Sequence, residues 1–535
     1  MCNMIAVLDC TLRDGGYIND WSFSKLAINK IIDKLVESNI DIVECGYLSQ
    51  SKGKKGDSSL YPTIDDITPI LNNIRNNDTK FACMINFGEY RIQDIPDQGH
   101  SKLHLIRLAF HKKDLHDAIS YASLLIRKGY EVYLQPMVTM AYSDADIMEL
   151  VEASNKIHPQ AVYIVDSFGT LTNADIKHYT TILHNNLEHD IALGFHSHNN
   201  LQLALSNSVY FIDLVKNWRS LIVDSSVFGI GRGAGNLCTE LITRHLMGKK
   251  MGNYNVQPLL EIMDEYLLPL YVRHPWGYSA AYYLSAICKC HPNYATYLLS
   301  KQTLQVRSIE NILSLIPASE RLQYNLKLID DLYLNYQTTS IDDSNTLESL
   351  KSKLEMQNIL VIASGRSISI ECEKINSYIN REKPIIISVN FIPKNIEVDY
   401  LFISNRKRFD MLNHFPSNQT IITSNIIDRS PDCLSVNYNK LLNQSPVISD
   451  NSGLMLLSLL KKIGVKNIVL AGFDGYSENS TENYCEDHLI FAIQDKNYTL
   501  LKNEEISSIL SEFGKTLNIQ YITKSAYCKL DMRQK

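Results

Sequence analysis

The tripeptide His196-Ser-His198 is the strongest chemical signal in the sequence. Residues two apart in an extended segment point to the same side, so both imidazoles can bind one metal ion. Asp14 adds a carboxylate to this set, and Asn236 offers a neutral oxygen. Two nitrogens and a carboxylate with open positions suit Mn²⁺, Mg²⁺, Fe²⁺ or Zn²⁺ acting as a Lewis acid. Without the carboxylate, the histidine pair is explained equally well as a structural feature.

Arg13, the neighbour of Asp14, keeps its proton under all ordinary conditions. Beside a metal ion, its guanidinium can stabilise an enolate oxygen as negative charge develops. The alternative is a structural ion pair. Glu44 can hold Arg13 in place through an ion pair. The alternative is that Glu44 is an isolated carboxylate without a role in the chemistry.

Two further motifs carry weaker signals. The spacing in Gly229-Ile-Gly-Arg-Gly-Ala-Gly-Asn236 is too loose for a dinucleotide loop, and we interpret it as a tight turn close to a bound substrate. Cys288-Lys-Cys290-His291 has no second thiolate pair at a suitable spacing. We therefore do not expect a zinc site there.

Eight short β-rich runs, about 25–40 residues apart, must position these side chains. Helical patterns lie between them, for example over 25–38 and 116–128. Most of the runs are apolar throughout, which indicates strands with both faces buried. The pattern predicts an N-terminal (β/α)8 TIM barrel, with an open doubly wound sheet as the competing interpretation. The predicted strands are 5–9, 41–45, 80–85, 103–109, 131–137, 161–166, 192–196 and 221–228.

A barrel of this kind carries its functional residues at the carboxyl ends of the strands. Arg13 and Asp14 follow the first predicted strand, and Glu44 ends the second. His196 and His198 end the seventh. The candidate chemical groups are therefore predicted to gather at one rim.

The second half of the chain alternates strands and helices. Residues 301–350 are predicted to form a helical and polar linker region, and residues 351–535 a smaller doubly wound α/β domain of Rossmann-like type. A helix is expected over 451–463, with Asn451 or Ser452 as its N-cap. The predicted strands are 358–362, 384–389, 400–404, 419–424 and 467–471.

A glycine turn in this domain follows a predicted strand. Ser364, Gly365 and Ser367 lie where such folds bind phosphate or nucleotide, and Asp474 follows another strand as a candidate polar contact. A structural turn explains the segment equally well, because the full dinucleotide pattern is missing. The domain is compatible with nucleotide-sugar binding, a second reaction or dimerisation.

Composition excludes several protein classes. With 535 residues, the chain is expected to hold at least two domains of roughly 100–200 residues. A net charge of −6 argues against general nucleic-acid binding. No run reaches the roughly 18–20 apolar residues of a membrane span, and no signal-peptide pattern is visible. The odd number of cysteines, 11, indicates reduced thiols and a cytoplasmic location.

Several motifs together resemble a known family. Asp9-Cys-Thr-Leu-Arg-Asp-Gly-Gly16 resembles the opening signature of the DRE-TIM metallolyases, metal-dependent (β/α)8 enzymes that make or break carbon–carbon bonds through an enolate. Gly194–Asn200 resembles their histidine motif, and Gly229–Asn236 their glycine loop. Val165–Gly169 and Gly277–Tyr282 are similar to the 4-hydroxy-2-oxovalerate aldolases, which release pyruvate and an aldehyde.

The resemblance covers residues 1–300 and implies a role for each matching position. Asp14, His196 and His198 would bind a divalent cation, with Mn²⁺ or Mg²⁺ expected. Arg13 would stabilise the pyruvate enolate.

The remaining implied positions surround the substrate. Ser167 would lie near it, and Tyr278 or Tyr282 would lie near the aldehyde end. The aldolases carry a histidine, their proposed base, where this chain has Tyr17. Tyrosine is a poorer base near neutrality, so His111 or a metal-bound water is an alternative base.

The expected function is a metal-dependent aldolase or lyase that acts on a 4-hydroxy-2-oxo acid. A Claisen-type enzyme that condenses an acyl-CoA with a 2-oxo acid is one alternative, and a degenerate barrel used as a binding scaffold is another. The second domain faintly resembles Rossmann-like domains of bacterial surface-glycan enzymes, so sugar or surface-glycan metabolism is one setting for the reaction. The expected partners are a 2-oxo acid, an aldehyde and further copies of the chain.

Overall fold

The computed structural model describes residues 4–75, 78–99, 101–412, 415–426, 432–477, 479–489 and 496–528. The chain divides into two compact units. The first contains residues 1–295 and 317–324, and the second contains residues 296–316 and 325–535. The predicted architecture, a TIM barrel followed by a doubly wound α/β domain, is confirmed.

Eight parallel strands of the first unit close into a barrel. The strands of this sheet are β1 (Ile5–Asp9), β2 (Ile42–Leu48), β3 (Leu60–Tyr61), β4 (Lys80–Asn86), β5 (Leu103–Phe110), β6 (Glu131–Pro136), β7 (Ala161–Asp166), β8 (Ala192–Ser197) and β9 (Leu221–Ser225). The sheet is closed because β1 pairs with β9 on one side and with β2 on the other, while β3 adds a short pair outside β2.

All eight predicted barrel strands are confirmed, with corrections at two ends. The strand predicted to stop at Cys45 continues to Leu48, so Glu44 lies within the strand and not at its end. The strand predicted to reach Phe228 stops at Ser225. Val227–Gly229 forms a 3-10 turn instead, in which Phe228 has a φ of 57°. That positive φ is incompatible with a strand, and it turns the chain into the glycine-rich loop.

Helices between the strands cover the outside of the barrel. The helix Lys25–Glu37 begins where Ser24 accepts a hydrogen bond from the Ala27 amide, and its buried face carries isoleucine, leucine and valine. The helices of this unit are Thr11–Asp14, Gly16–Asn19, Lys25–Glu37, Ile64–Asn73, Leu115–Arg127, Asp144–Ile157, Asn173–Asn186, Ala204–Val215, Thr239–Gly248, Gln257–Ile262, Leu268–Arg273 and Ala280–Ile287, with a π-helical turn at Met263–Leu267.

The second unit is built on seven parallel strands. They are β10 (Asn358–Ile362), β11 (Ile385–Val389), β12 (Tyr400–Ile403), β13 (Thr420–Thr423), β14 (Leu434–Val436), β15 (Asn467–Ala471) and β16 (Asn518–Tyr521). Their order in the sheet is β14-β13-β12-β11-β10-β15-β16. Five of the strands were predicted. The two edge strands β14 and β16 were missed because they are short and only partly buried, which leaves no apolar run to detect.

Helices pack on both faces of this sheet. The helix Ser452–Lys462 begins as expected, with the Asn451 side chain accepting from the Leu454 amide. In the described part of the chain, no helix combines the length and apolar character that crossing a membrane requires. The remaining helices are Pro292–Lys301, Val306–Ser314, Leu326–Gln337, Ser344–Leu354, Ser367–Ile370, Cys372–Glu382, Arg406–Phe409 and Lys496–Phe513.

Candidate active site

A buried cluster of potential metal ligands lies at the carboxyl ends of β1 and β8. Cys10, Asp14 and His196 offer a thiol, a carboxylate and an imidazole whose ligand atoms all lie within 4.8 Å of one another. Asp14 is placed by the short helix Thr11–Asp14, which follows β1 directly. This group can bind a metal ion.

Asp14 is ionised in spite of its burial. Burial alone would raise its pKa, but the charges of Arg13 and the two histidines, with a hydrogen bond from Asn236, lower the pKa to about 2. Its Oδ2 lies 3.6 Å from Nε2 of His196 and accepts from Asn236 Nδ2 at 2.7 Å. The carboxylate is therefore fixed and negatively charged, as a metal ligand must be.

His196 is oriented by a second carboxylate on the opposite side of its ring. Nδ1 lies 2.9 Å from Oδ2 of Asp224, on β9. Asp224 is held ionised, because the charge of Arg107 and the bond to His196 outweigh the effect of burial and lower its pKa. Nε2 is therefore the ring nitrogen that faces Asp14.

His198 and Asn236 lie beside this cluster. The ring centroids of His198 and His196 are 5.1 Å apart, and His198 forms a backbone bridge with Asn236. Burial and the positive charge nearby lower the pKa of His198 to about 3, so its imidazole is neutral. Asn236 Oδ1 is buried and has no hydrogen-bond partner among the described residues. Both side chains thus offer a neutral donor atom to the site.

Cys10 is the member of the cluster that we did not predict as a candidate ligand. Its Sγ lies 3.4 Å from Asp14 Oδ2 and 3.1 Å from the carbonyl oxygen of Ser225. Burial and the charge of Asp14 raise the pKa of the thiol well above its usual value. The available signal was its position four residues before Asp14, at the end of β1.

A buried network of charges lies beneath the cluster. Arg13 Nε donates to Glu44 Oε2 at 2.9 Å, and Arg107 donates to the same oxygen at 2.7 Å. Arg107 also contacts Asp224, whose other oxygen accepts from the Tyr163 hydroxyl at 3.0 Å. The network links Arg13, which also contacts Asp14, to the carboxylate that orients His196.

Tyr17 lies three residues beyond Asp14, in the short helix Gly16–Asn19. The residue is 43% exposed and its ring packs against Trp21, with centroids 4.7 Å apart. Its hydroxyl is desolvated, which raises the pKa of the phenol, and the charge of Arg13 only partly offsets this. Tyr17 therefore stays protonated, a state in which a phenol donates a hydrogen bond.

The structure places the other predicted substrate residues as follows. Ser167 follows β7, where its hydroxyl accepts from the Val138 amide at 2.9 Å. His111 follows β5 with its side chain accessible to solvent, and partial desolvation of its ring, which the charge of Asp114 only partly offsets, lowers its pKa. Tyr278 is exposed before the helix Ala280–Ile287, on which Tyr282 is half-buried. Their contacts with a substrate stay predictions.

Arg232 and His291 form a contact that we did not anticipate. Arg232, in the glycine-rich loop, forms a hydrogen bond with Nε2 of His291. The His291 ring packs against Phe168, with the ring centroids 5.8 Å apart. Burial and the charge of Arg232 lower the pKa of His291 to about 4. The same guanidinium also lowers the pKa of His198, so its positive charge acts on the cluster.

In the second unit, the predicted turn residues bind one another. The Ser367 amide donates to Asp474 Oδ2 at 2.7 Å, and its hydroxyl donates to the other oxygen. Any other residue at position 365 would have its Cβ only 2.3 Å from the carbonyl oxygen of Gly472. The glycine is therefore required by the close approach of two turns. Ser364, Gly365 and Asp474 line a cavity, whereas Ser367 is not among its lining residues.

Residues 4–264 match the HMGL-like family. A 4-hydroxy-2-oxovalerate aldolase of Geobacillus genomosp. 3 is 27% identical over 271 residues, which cover 49% of this chain and 77% of that protein. An oxaloacetate decarboxylase of Mycobacterium tuberculosis is 23% identical over 273 residues, covering 51% and 78%. The solved N-terminal domain of a candidate aldolase from Bacteroides vulgatus is 28% identical with a TM-score of 0.48, covering 55% of this chain and 96% of that one.

Proposed function

The chain contains an HMGL-like (DRE-TIM) domain, distantly similar to the 4-hydroxy-2-oxovalerate aldolases, and from this premise we propose that it is a divalent-metal-dependent carbon–carbon lyase. Its proposed substrate is a 4-hydroxy-2-oxo acid, which yields the enolate of a 2-oxo acid and an aldehyde. The observation that carries the proposal is the pairing of Asp14 with the oriented His196 beside Arg13.

The donor atoms fit a divalent cation. Asp14 supplies an anionic oxygen, His196 and His198 supply imidazole nitrogens, and the orphaned Oδ1 of Asn236 supplies a further oxygen. A set dominated by oxygen and imidazole favours Mn²⁺ or Mg²⁺ over a soft metal, because Cys10 is held as a thiol. When bound, such a cation supplies a Lewis acid for the substrate's oxygens.

Arg13 is the proposed catalytic donor to the developing enolate oxygen. Its Nε bond to Glu44 and its Nη1 bond to Asp14 fix the plane of the guanidinium, and Nη2 is the nitrogen proposed to face the reacting group. Its charge is secure, because Asp14 and Glu44 outweigh the effect of burial and raise its pKa. A fixed donor that needs no reorganisation during the reaction is an efficient stabiliser of an oxyanion.

Tyr17 is proposed to donate a hydrogen bond to the substrate's hydroxyl group. Its protonated state supports this role more than that of a base. Arg232 adds positive charge close to Tyr17 and His198 and is suited to a substrate that carries a carboxylate. A 2-oxo acid meets this requirement.

The test is an assay of pyruvate release by the full chain after removal of metal and reloading with Mn²⁺. The substrates are a panel of 4-hydroxy-2-oxo acids and, separately, oxaloacetate. A further reaction mixture contains pyruvate and acyl-CoA esters, and there the consumption of pyruvate is measured. We expect metal-dependent release from the 4-hydroxy-2-oxo acids that is lost in Asp14→Asn and kept in Asp213→Asn, an exposed control.

Two results would replace this proposal with another. Turnover of oxaloacetate alone would favour a decarboxylase, the activity named for the Mycobacterium tuberculosis relative. Turnover that requires an acyl-CoA would favour the Claisen-type condensing enzyme. Loss of turnover in the Asp213→Asn control would mean that the assay does not report on the cluster.

A further inference from the structure

A cavity of about 200 Å³ opens at the carboxyl edge of the second sheet. Ser364 after β10, Asn390 after β11 and Gly472 after β15 all line it. β10 pairs with β11 on one side and with β15 on the other, so the sheet extends in both directions from this strand. In open parallel sheets, such a switch point is where ligands bind.

Lys301 lines this cavity as a buried cation. Its side chain is 3% exposed, and its Nζ makes no hydrogen bond to any residue that the structure describes. Asp330 Oδ1 lies 3.6 Å away, beyond hydrogen-bonding distance, and the ring centroids of Tyr297 and Tyr333 lie 4.9 and 5.2 Å away. The ammonium group therefore keeps its donors for a group that enters the cavity.

Arg408 and Lys502 add two more cations to the same lining. Arg408 is buried, with its guanidinium 5.6 Å from the centroid of the Tyr484 ring. Burial and the positive charge of Lys301 lower the pKa of Lys502 to about 8. The shift indicates that Lys301 and Lys502 are close enough to repel each other, which an incoming anion would relieve.

The two carboxylates of the lining are already hydrogen-bonded to the scaffold. Asp450 accepts from the hydroxyls of Tyr438, at 3.3 Å, and Tyr333. Asp474 accepts hydrogen bonds from both the amide and the hydroxyl of Ser367. Positive groups therefore outnumber negative ones in the lining, and the negative ones are engaged elsewhere.

We propose that this cavity binds a small organic phosphate, with Lys301, Arg408 and Lys502 around the phosphate group. A phosphate monoester carries a charge of about −1.5 to −2 at pH 7 and three acceptor oxygens, which suits several converging donors better than a carboxylate does. Ser452 and Gly453, the first residues of the helix Ser452–Lys462, also line the cavity, and a helix start favours an anion. Tyr476 and Tyr484 offer rings against the organic part.

The test is calorimetric titration of the full chain at constant ionic strength. The probes are inorganic pyrophosphate, a set of nucleoside mono- and diphosphates, a set of sugar phosphates, and malonate as a dicarboxylate. The variants are Lys301→Met and Lys502→Met, with Lys515→Met as an exposed lysine control outside the cavity. Arg232→Met reports binding of the same anions at the barrel.

We expect one phosphate-dependent site per chain. Either lysine variant should weaken it at least tenfold, and Lys515→Met and Arg232→Met should leave it unchanged. The preferred probe then identifies a nucleotide or a phosphosugar as the source of the phosphate. Lys502→Met keeps the test decisive if Lys301→Met fails to fold. Four results would overturn the proposal. Malonate could bind as tightly as the phosphates, or Lys502→Met could bind phosphate as tightly as the unmodified chain. Binding could also be lost in Arg232→Met, or no phosphate could bind at all.

Discussion

Asp224 Oδ2 lies 2.9 Å from Nδ1 of His196 inside the barrel, so the orientation of a candidate metal ligand is set by a carboxylate on the neighbouring strand. The same carboxylate is bound by Arg107 and by Tyr163. The position of the His196 ring therefore depends on the charge network of the barrel interior. A network of this kind fixes the ring nitrogen that is available to a metal.

Replacing Asp224 by asparagine tests this dependence. An amide keeps the shape of the side chain but removes the charge that Nδ1 of His196 faces. We expect Asp224→Asn to weaken Mn²⁺ binding about 10–100-fold, as measured by calorimetry. Asp213→Asn, on the exposed face of the helix Ala204–Val215, is the matched control. Unchanged Mn²⁺ affinity in Asp224→Asn would mean that His196 is not a ligand or needs no orientation.

Arg107 should contribute strongly to the stability of the barrel. It is fully buried between Glu44 and Asp224, so Arg107→Met removes the cation that the two carboxylates share and leaves Arg13 beside Glu44 and His196 beside Asp224. Breaking a buried pair in this way costs about 3–5 kcal/mol in free energy of unfolding. The three tryptophans of the chain all lie in the first unit, so their fluorescence during urea unfolding reports on the barrel.

The control for Arg107 is an exposed ion pair of the same barrel. Lys80 pairs with Glu131 at 2.6 Å on the surface, and Lys80→Met should change the unfolding free energy by about 0–1 kcal/mol. If Arg107→Met lowers the free energy of unfolding as little as Lys80→Met does, the remaining partners of the buried carboxylates are sufficient to stabilise them.

Arg13→Lys should lose most turnover while Mn²⁺ binding survives. Lysine keeps the positive charge but cannot bond Glu44 and a substrate oxygen through one planar group. Loss of one donor to an oxyanion typically lowers the rate about 10²–10³-fold. The measurement is kcat on the substrate found in the screen, with calorimetry for the metal. Near-normal kcat in the lysine variant would assign Arg13 a structural role.

Tyr17→Phe separates two roles of the phenol. As a hydrogen-bond donor to the substrate's hydroxyl, Tyr17 should be needed for carbon–carbon cleavage but not for enolisation of pyruvate. We therefore expect slow cleavage with normal deuterium exchange at the pyruvate methyl group, followed by NMR. Loss of both activities would identify Tyr17 as the enolising base. If neither changes, Tyr17 is a packing residue, and His111 is the next candidate base.

The barrel and its rim were predictable because their signals are local. Each barrel strand is an apolar run buried on both faces, and the polar residues that follow it must lie at one end. Asp14 and His196 meet for this reason, since β1 and β8 flank the same strand, β9. The spacing of the motifs therefore predicted which side chains approach each other, without any knowledge of distances.

The charge networks could not be predicted in the same way. Arg107 and Asp224 lie inside apolar strands, and they pair across 117 residues of sequence. Lys301, Arg408 and Lys502 come from three separate helices and carry no motif. Such contacts depend on the closed tertiary structure, and the identity of a single charged residue within an apolar run does not indicate its partner.

Phosphate binding in the second unit should weaken as the pH rises through about 8. Lys502 is the group that titrates there, because burial and Lys301 lower its pKa to about 8 while Asp450 acts in the opposite direction. The centroid of the Tyr476 ring lies 5.2 Å from Nζ of Lys502. Below this pKa the ammonium is charged and attracts the phosphate, and above it that attraction is lost.

The measurement is the affinity for pyrophosphate between pH 7 and 9.5 in the unmodified chain, Lys502→Met and Lys515→Met. Ionisation of the probe is the same in all three proteins, so their difference isolates the lysine. Loss of one proton can lower the affinity by about tenfold per pH unit at most. The unmodified chain and Lys515→Met should therefore lose affinity more steeply than Lys502→Met, which is already weak at pH 7. Parallel pH profiles in all three proteins would show that Lys502 does not carry the charge that phosphate senses.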